Sequence, residues 1–199
     1  MNYLAHLALA YPNHGLVVGN FIGDHVRNKH LPSYTKQVQQ GVLMHRAIDL
    51  FTDQHPKTIA LRQLLFGDYR HFSRVLVDIY YDHFLAKHFS QFYSFELTNF
   101  IAAVEQILQS NSKILPMSAQ QYLKGMVEQH WLMMYQDISG IDHILKMMAK
   151  RSKRDTLASG IVGLQKQYTK IEQVFLAFYP ELVAYCTAWK KNSIGLAGS

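Results

Sequence analysis

Along the chain apolar residues recur every three or four positions, and no stretch alternates apolar with polar for long. That pattern predicts helices nearly throughout. Leu4, Leu7 and Leu9, with Ala5, Ala8 and Ala10, mark a short first helix that carries His6 and is stopped by Pro12 and Gly15. A second helix or half-helix is expected over residues 16–27, with Gly19-Asn20-Phe21-Ile22-Gly23-Asp24 at its centre. Two glycines so close cost a helix about 1 kcal/mol each relative to alanine, which points to a tight backbone approach around Asp24. Pro32 and Ser33 break the chain before a helix over 36–54, and Pro56 opens another that Gly67 should close. Further helices are predicted over 69–90, 95–109, 118–135, 140–150, 154–179 and 180–191, with Ser118 as a cap behind Pro116. No repeat and no Pro- or Gly-rich linker divides them. The expected fold class is all-α, a single-domain helical bundle over residues 1–191, with 192–199 as a mobile tail.

Within that pattern, polar groups stand where apolar neighbours should bury them. On the helix over 36–54, His45, Asp49 and Asp53 follow at i, i+4 and i+8, so one imidazole and two carboxylates share a face. Asp78 and Asp82 repeat the device, with His83 alongside. His6 and Asp24 lie in two further apolar segments. Each position alone also reads as a core histidine, a capping aspartate or a solvated face. Together, buried without partners, the carboxylates would cost several kcal/mol each, and Arg27, Arg46, Arg70 and Arg74 look too few to compensate.

A divalent metal answers that need. With mixed imidazole and carboxylate ligands Mn, Mg, Fe or Zn would serve, and the absence of cysteine ligands argues against a structural zinc site. Such an ion lowers the pKa of a water and polarises a phosphoryl oxygen, as phosphoester hydrolysis requires. No Gly-x-Ser-x-Gly turn, P-loop, His-Glu-x-x-His or dinucleotide fingerprint competes. His14, His25, His30, His55, His71, His88, His130 and His143 are assigned to surface or core.

Composition narrows the class. Of 199 residues, 49% are hydrophobic and 17% charged, which suits one globular domain and excludes disorder. Cys186 is the only cysteine and reads as a buried thiol in a reducing compartment. The first residues lack a basic segment and His6 interrupts them, so the expectation is a cytoplasmic protein without a signal peptide or a membrane span. Twenty Lys and Arg against 14 Asp and Glu give a net charge of +6, much of it between Lys146 and Arg154, and a basic surface implies an acidic partner.

Several stretches resemble the acyl carrier protein phosphodiesterase family. They are Met1-Asn-Tyr-Leu-Ala-His6, Gly19-Asn-Phe-Ile-Gly-Asp24, Gly41-Val-Leu-Met-His-Arg-Ala-Ile-Asp49 with Thr52-Asp53, and Asp78-Ile-Tyr-Tyr-Asp-His-Phe-Leu85. Tyr122-Leu123, Trp131-Leu132 and Phe178-Tyr-Pro180 extend the match. The resemblance implies hydrolysis of the phosphodiester joining phosphopantetheine to a serine of holo-acyl carrier protein, with Mn as the usual ion, and a place in fatty acid metabolism. It also implies a fold distantly similar to the HD phosphohydrolases, although the His-Asp dipeptide is absent and the pair occurs reversed, as Asp82-His83.

Asp24 and His45 are thus expected to act in catalysis. His6, Asp24, His45, Asp49, Asp78 and Asp82 are expected to hold the metal, with Asp53 and His83 as further candidates. The expected partner is acidic holo-acyl carrier protein and not nucleic acid. Two other readings are an HD-like phosphohydrolase acting on nucleotides and a basic helical RNA-binding module. The module is disfavoured because exposed aromatics are not interleaved with the basic residues.

Overall fold

The structure is a computed structural model and describes residues 1–194. Twelve α-helices and several short 3-10 turns make up the described residues, with no strand among them, in agreement with the all-α expectation. The first half comprises α1 (Tyr3–Ala10), α2 (His14–Phe21), α3 (Lys36–Gln54), α4 (Pro56–Tyr69), α5 (Ser73–Lys87) and α6 (Phe89–Phe92). The second comprises α7 (Leu97–Ser110), α8 (Met117–Glu128), α9 (Trp131–Met134), α10 (Ile138–Ser152), α11 (Gly160–Lys166) and α12 (Tyr168–Ile194). One hydrophobic core joins them, with Leu4, Leu7, Phe21, Val42, Ile48, Tyr80, Phe84 and Phe175 fully buried.

The closest helix pair is α2 with α3. A Cβ at Gly19 would collide with the Val38 carbonyl oxygen and with Gly41 Cα, so the two glycines let these backbones touch. The consequence is a short, fixed path between Asn20 and His45. Asn13 caps α2 by accepting the Leu16 N–H at 3.0 Å, and the helix stops at Phe21, short of the expected 27. A 3-10 turn over Gly23–His25 then carries Asp24.

Other boundaries differ from the local signals. Helix α4 passes through Gly67 to Tyr69, because Tyr69 is buried and its hydroxyl donates to the Ser159 carbonyl oxygen at 3.1 Å. Arg70, at φ 50°, makes the break instead, so the expected helix over 69–90 begins at Ser73 and ends at Lys87. The stretch 118–135 splits at His130, at φ 54°, into α8 and α9. Ser118 does not cap α8, whose cap position is Pro116; its hydroxyl lies 2.9 Å from His25 Nδ1.

The stretch 154–179 divides into a 3-10 turn, α11 and the first part of α12. Helix α12 then continues through Pro180. A proline inside a helix costs about 3 kcal/mol. Phe175, Phe178, Tyr179 and Leu182 are fully buried, and at about 1.5–3 kcal/mol per large side chain they outweigh that cost. The helix also extends past Lys191 to Ile194, which takes 192–194 out of the expected tail; 195–199 lie outside the described residues. No helix among the described residues is long and apolar enough to cross a membrane. Cys186 is buried, and burial pushes its thiol up to about 12.

Candidate metal centre

Three elements bring polar side chains together against the start of α1. His6 projects from α1, His45 and Asp49 from adjacent turns of α3, and Asp24 from the 3-10 turn after α2. The His6 and His45 rings stack with centroids 4.0 Å apart. His6 Nε2 lies 3.1 Å from Asp49 Oδ1, and His45 Nε2 lies 3.3 Å from both Asp49 Oδ2 and Asp24 Oδ1. A Cβ at Gly23 would overlap the His45 ring, so glycine there is what lets the Asp24 turn close on the imidazole.

Asn20 holds both rings from behind. Its side-chain amide donates to the Leu16 carbonyl oxygen at 3.1 Å, which fixes the amide's orientation and turns Oδ1 toward His6 Nδ1, 3.3 Å away. Its backbone carbonyl oxygen accepts from His45 Nδ1 at 2.9 Å. Each imidazole therefore stands between two oxygen acceptors, while a neutral ring carries one N–H. Two Nε2 positions are left facing carboxylates with too few protons to satisfy them. Either an extra proton is taken up, on His45, beside a neutral His6, or a cation takes the Nε2 side. A divalent ion would supply the missing charge in one step, and Nδ1–H···O=C anchors of this kind orient metal-ligating histidines in general.

The protonation balance reflects the same shortage. Burial and the neighbouring His45 lower the His6 pKa to about 4. Burial also opposes a charge on His45, but hydrogen bonds to Asp24 and Asp49 raise its pKa to about 9. Asp49 is disfavoured as an anion by burial, yet hydrogen bonds from His45 and His6 hold its carboxyl well below the usual range. Asp24 is likewise lowered by the His45 hydrogen bond, on a side chain 71% exposed. His6, His45 and Asp49 each offer a ligand atom within 4.8 Å of the other two.

The remaining candidates have other partners. Asp78 Oδ1 lies 3.1 Å from the Met1 amino group, which is also 3.6 Å from Asp49 Oδ1, so Asp78 borders the cluster across a shared cation. Asp82 is fully buried and accepts the Leu4 N–H at 2.8 Å and the Ala5 N–H at 3.3 Å, where it caps α1. Burial pushes its carboxyl up to about 7, against the Met1 ammonium and those two N–H donors. Asp53 is bridged by Arg62 and Arg74. His83 donates to or accepts from the Tyr168 hydroxyl at 2.9 Å and donates from Nδ1 to the Tyr135 carbonyl oxygen at 2.7 Å, away from the cluster.

Sequence reasoning passed over Asn20, Arg62 and His25. Asn20 had a signal: an amide within the apolar run 16–22 must be buried, and a buried amide needs partners. Arg62 had none, since its link to Asp53 crosses from α4 to α3.

Comparison with known proteins places the chain. Residues 1–182 match the family described as acyl carrier protein phosphodiesterase. Proteins of that name from Escherichia coli O157:H7 and Photorhabdus laumondii are 34% and 32% identical, over 92% of this chain and 96% and 93% of their own. The Yersinia pestis protein of the same name is 31% identical over 92% of this chain and 96% of its own. No solved structure matches. With the match running through every segment that builds the His6, Asp24, His45 and Asp49 cluster, the chain belongs to the acyl carrier protein phosphodiesterase family.

Proposed function

We propose that the enzyme hydrolyses the phosphodiester between phosphopantetheine and the serine of holo-acyl carrier protein, releasing apo-carrier, at a centre holding one divalent cation, Mn2+ with Mg2+ or Fe2+ as substitutes. The observation that carries the reading is the pair of imidazoles whose Nδ1 atoms are committed to Asn20 and whose Nε2 atoms face Asp49 and Asp24. His6, His45 and Asp49 would hold the ion, with Asp24 completing the set at the open side. When bound, the ion would polarise the phosphoryl oxygen and lower the pKa of the attacking water.

The protein's own groups supply orientation. Asn20 keeps both rings in the tautomer that presents Nε2. Asp24 Oδ1 is engaged by His45, and its second oxygen, on an exposed side chain, is an acceptor for a hydrogen of the attacking water. Lys150, Arg151, Lys153 and Arg154 stand exposed at the end of α10 and the turn beyond, and would steer an acidic carrier to this side. A carrier-protein substrate implies a cytoplasmic setting, where carrier and enzyme would meet.

Incubation with holo-carrier and Mn2+, read by the carrier's mass, tests the proposal. Loss of the phosphopantetheine mass is expected with wild type, and neither with Asp24→Ala nor in chelator. An unchanged carrier alongside turnover of free nucleotides would move the assignment to a nucleotide phosphohydrolase.

A further inference from the structure

Beside the cluster, the start of α1 forms one wall of a cavity of about 420 Å³ closed by α8, α9 and α10. That volume is within the range of small-molecule sites, roughly 300–1,000 Å³. Its apolar lining is built from Tyr3, Tyr122, Trp131, Met126 and Met148. The aromatics are mutually packed: Tyr3 stacks on Tyr122 at 4.4 Å, and Tyr122 meets Trp131 edge-on at 4.9 Å. The methionines add flexible thioethers that adapt to ligands of differing shape and favour contacts between sulfur and ring edges.

Beside the tyrosine hydroxyls, the polar part of the lining offers the donors of Asn2, Gln129 and Arg151. Gln129 Oε1 accepts the Trp131 indole N–H at 3.0 Å, and Asn2 Oδ1 accepts the Tyr3 N–H at 2.9 Å, so each side chain presents its NH2 end to other groups. Arg151 also lines the cavity and has no ion-pair partner among the described residues. A ligand suited to these walls carries carbonyl acceptors along its length and a sulfur or apolar group at its end.

The cavity is joined to the cluster through the chain. Tyr3 hydroxyl lies 3.3 Å from His25 Nε2, and His25 follows Asp24. His25 Nδ1 in turn meets Ser118 Oγ at 2.9 Å, which ties the Asp24 turn to α8. Asn2 and Tyr3 directly follow Met1, whose amino group is 3.6 Å from Asp49 Oδ1. A phosphoryl group at the cluster would have this half-open cavity as its neighbour.

We infer that this cavity receives the pantetheine arm of the substrate, with its two amide carbonyls toward Asn2, Gln129 and Arg151 and its thiol or thioester end among the aromatic rings and methionines. The inference rests on the proposed reaction and assigns the part of the substrate that the metal centre does not touch.

Pantetheine without phosphate is the direct probe. Trp131 and Trp189 are the only tryptophans, so a Trp189→Phe protein reports on the cavity by fluorescence. Pantetheine should change Trp131 emission saturably, in chelator as well as with Mn2+. Met148→Arg, on a half-buried helical position, should raise the midpoint about tenfold or more, the loss expected of one good contact. Arg151→Ala should raise it less. With both variants shown to be helical, turnover of holo-carrier relative to bis(p-nitrophenyl) phosphate should fall in the same order. Unchanged Trp131 emission, with the ratio unaffected by Met148→Arg while wild type still cleaves holo-carrier, would overturn the cavity assignment and leave the reaction standing. A saturable change without carrier cleavage would retain the cavity as a pantetheine site and remove the reaction.

Discussion

On α3, His45 and Asp49 stand one turn apart; on α5, Asp78 and Asp82 stand one turn apart, and both pairs are drawn to the start of α1. The Asp49 carboxylate of α3 faces imidazole nitrogens whose rings already have an acceptor behind them. The carboxylates of α5 face groups with protons to give: the Met1 ammonium and Arg62 for Asp78, and the Leu4 and Ala5 N–H groups for Asp82. A carboxylate that meets a donor is satisfied and becomes structure. One that depends on a titratable imidazole proton can exchange that proton for a metal cation, and that is where chemistry could be held.

The sharpest way to break this comparison is to exchange the consequences of losing each carboxylate. Asp49→Ala should abolish Mn2+-dependent activity, beyond the 10–100-fold loss typical of removing an outer partner of a ligand, with little loss of helical structure. Asn20→Ala touches no expected ligand position yet should cost about 10–100-fold in Mn2+ affinity, because His6 loses the side-chain acceptor that sets its tautomer while His45 keeps the backbone carbonyl oxygen. On the other side, Asp82→Ala strands two buried N–H groups and should lower stability by about 1–3 kcal/mol per group, read by denaturant melts. Asp53→Ala, which leaves the largely buried Arg62 guanidinium without its nearest charged acceptor, should cost about 1.5–3 kcal/mol.

Acidity gives a further separation, smaller in size. In chelator, the raised pKa of His45 makes its charged form a stabilising partner of Asp24 and Asp49. That contribution is fully present below the ordinary histidine pKa of about 6.5 and is lost as pH rises through about 9. Thermal melts of the chelated protein should therefore fall across that window. Since a metal competes with the same proton, Mn2+ affinity should rise over the same window, and the stability loss should be offset when the ion is present.

Much of this could be read from residue patterns. The His45 and Asp49 face followed from four-residue spacing, and the helical class from periodicity. The spacing could not separate Asp49 from Asp82, because both lie on apolar helices and differ only in what a distant segment presents to them. Asn20 was hidden for a similar reason: its two roles, one through the side chain and one through the backbone, exist only once Gly19 and Gly41 let α2 and α3 touch. Gly67 and Pro180 misled where buried aromatics, Tyr69 on one side and Phe175 to Tyr179 on the other, outweighed a local preference. The cavity drew its walls from four helices, and no single stretch carried its pattern.

The central claim is that the α3 side of this comparison is a metal centre and the α5 side is scaffold. Calorimetric titration of Mn2+ into chelator-stripped protein tests it most directly, with wild type, Asp49→Ala and Asp82→Ala compared under conditions where all three are folded. The account predicts saturable binding by wild type, its loss in Asp49→Ala and its retention in Asp82→Ala. Absence of binding by wild type, or equal losses in the two variants, would contradict it.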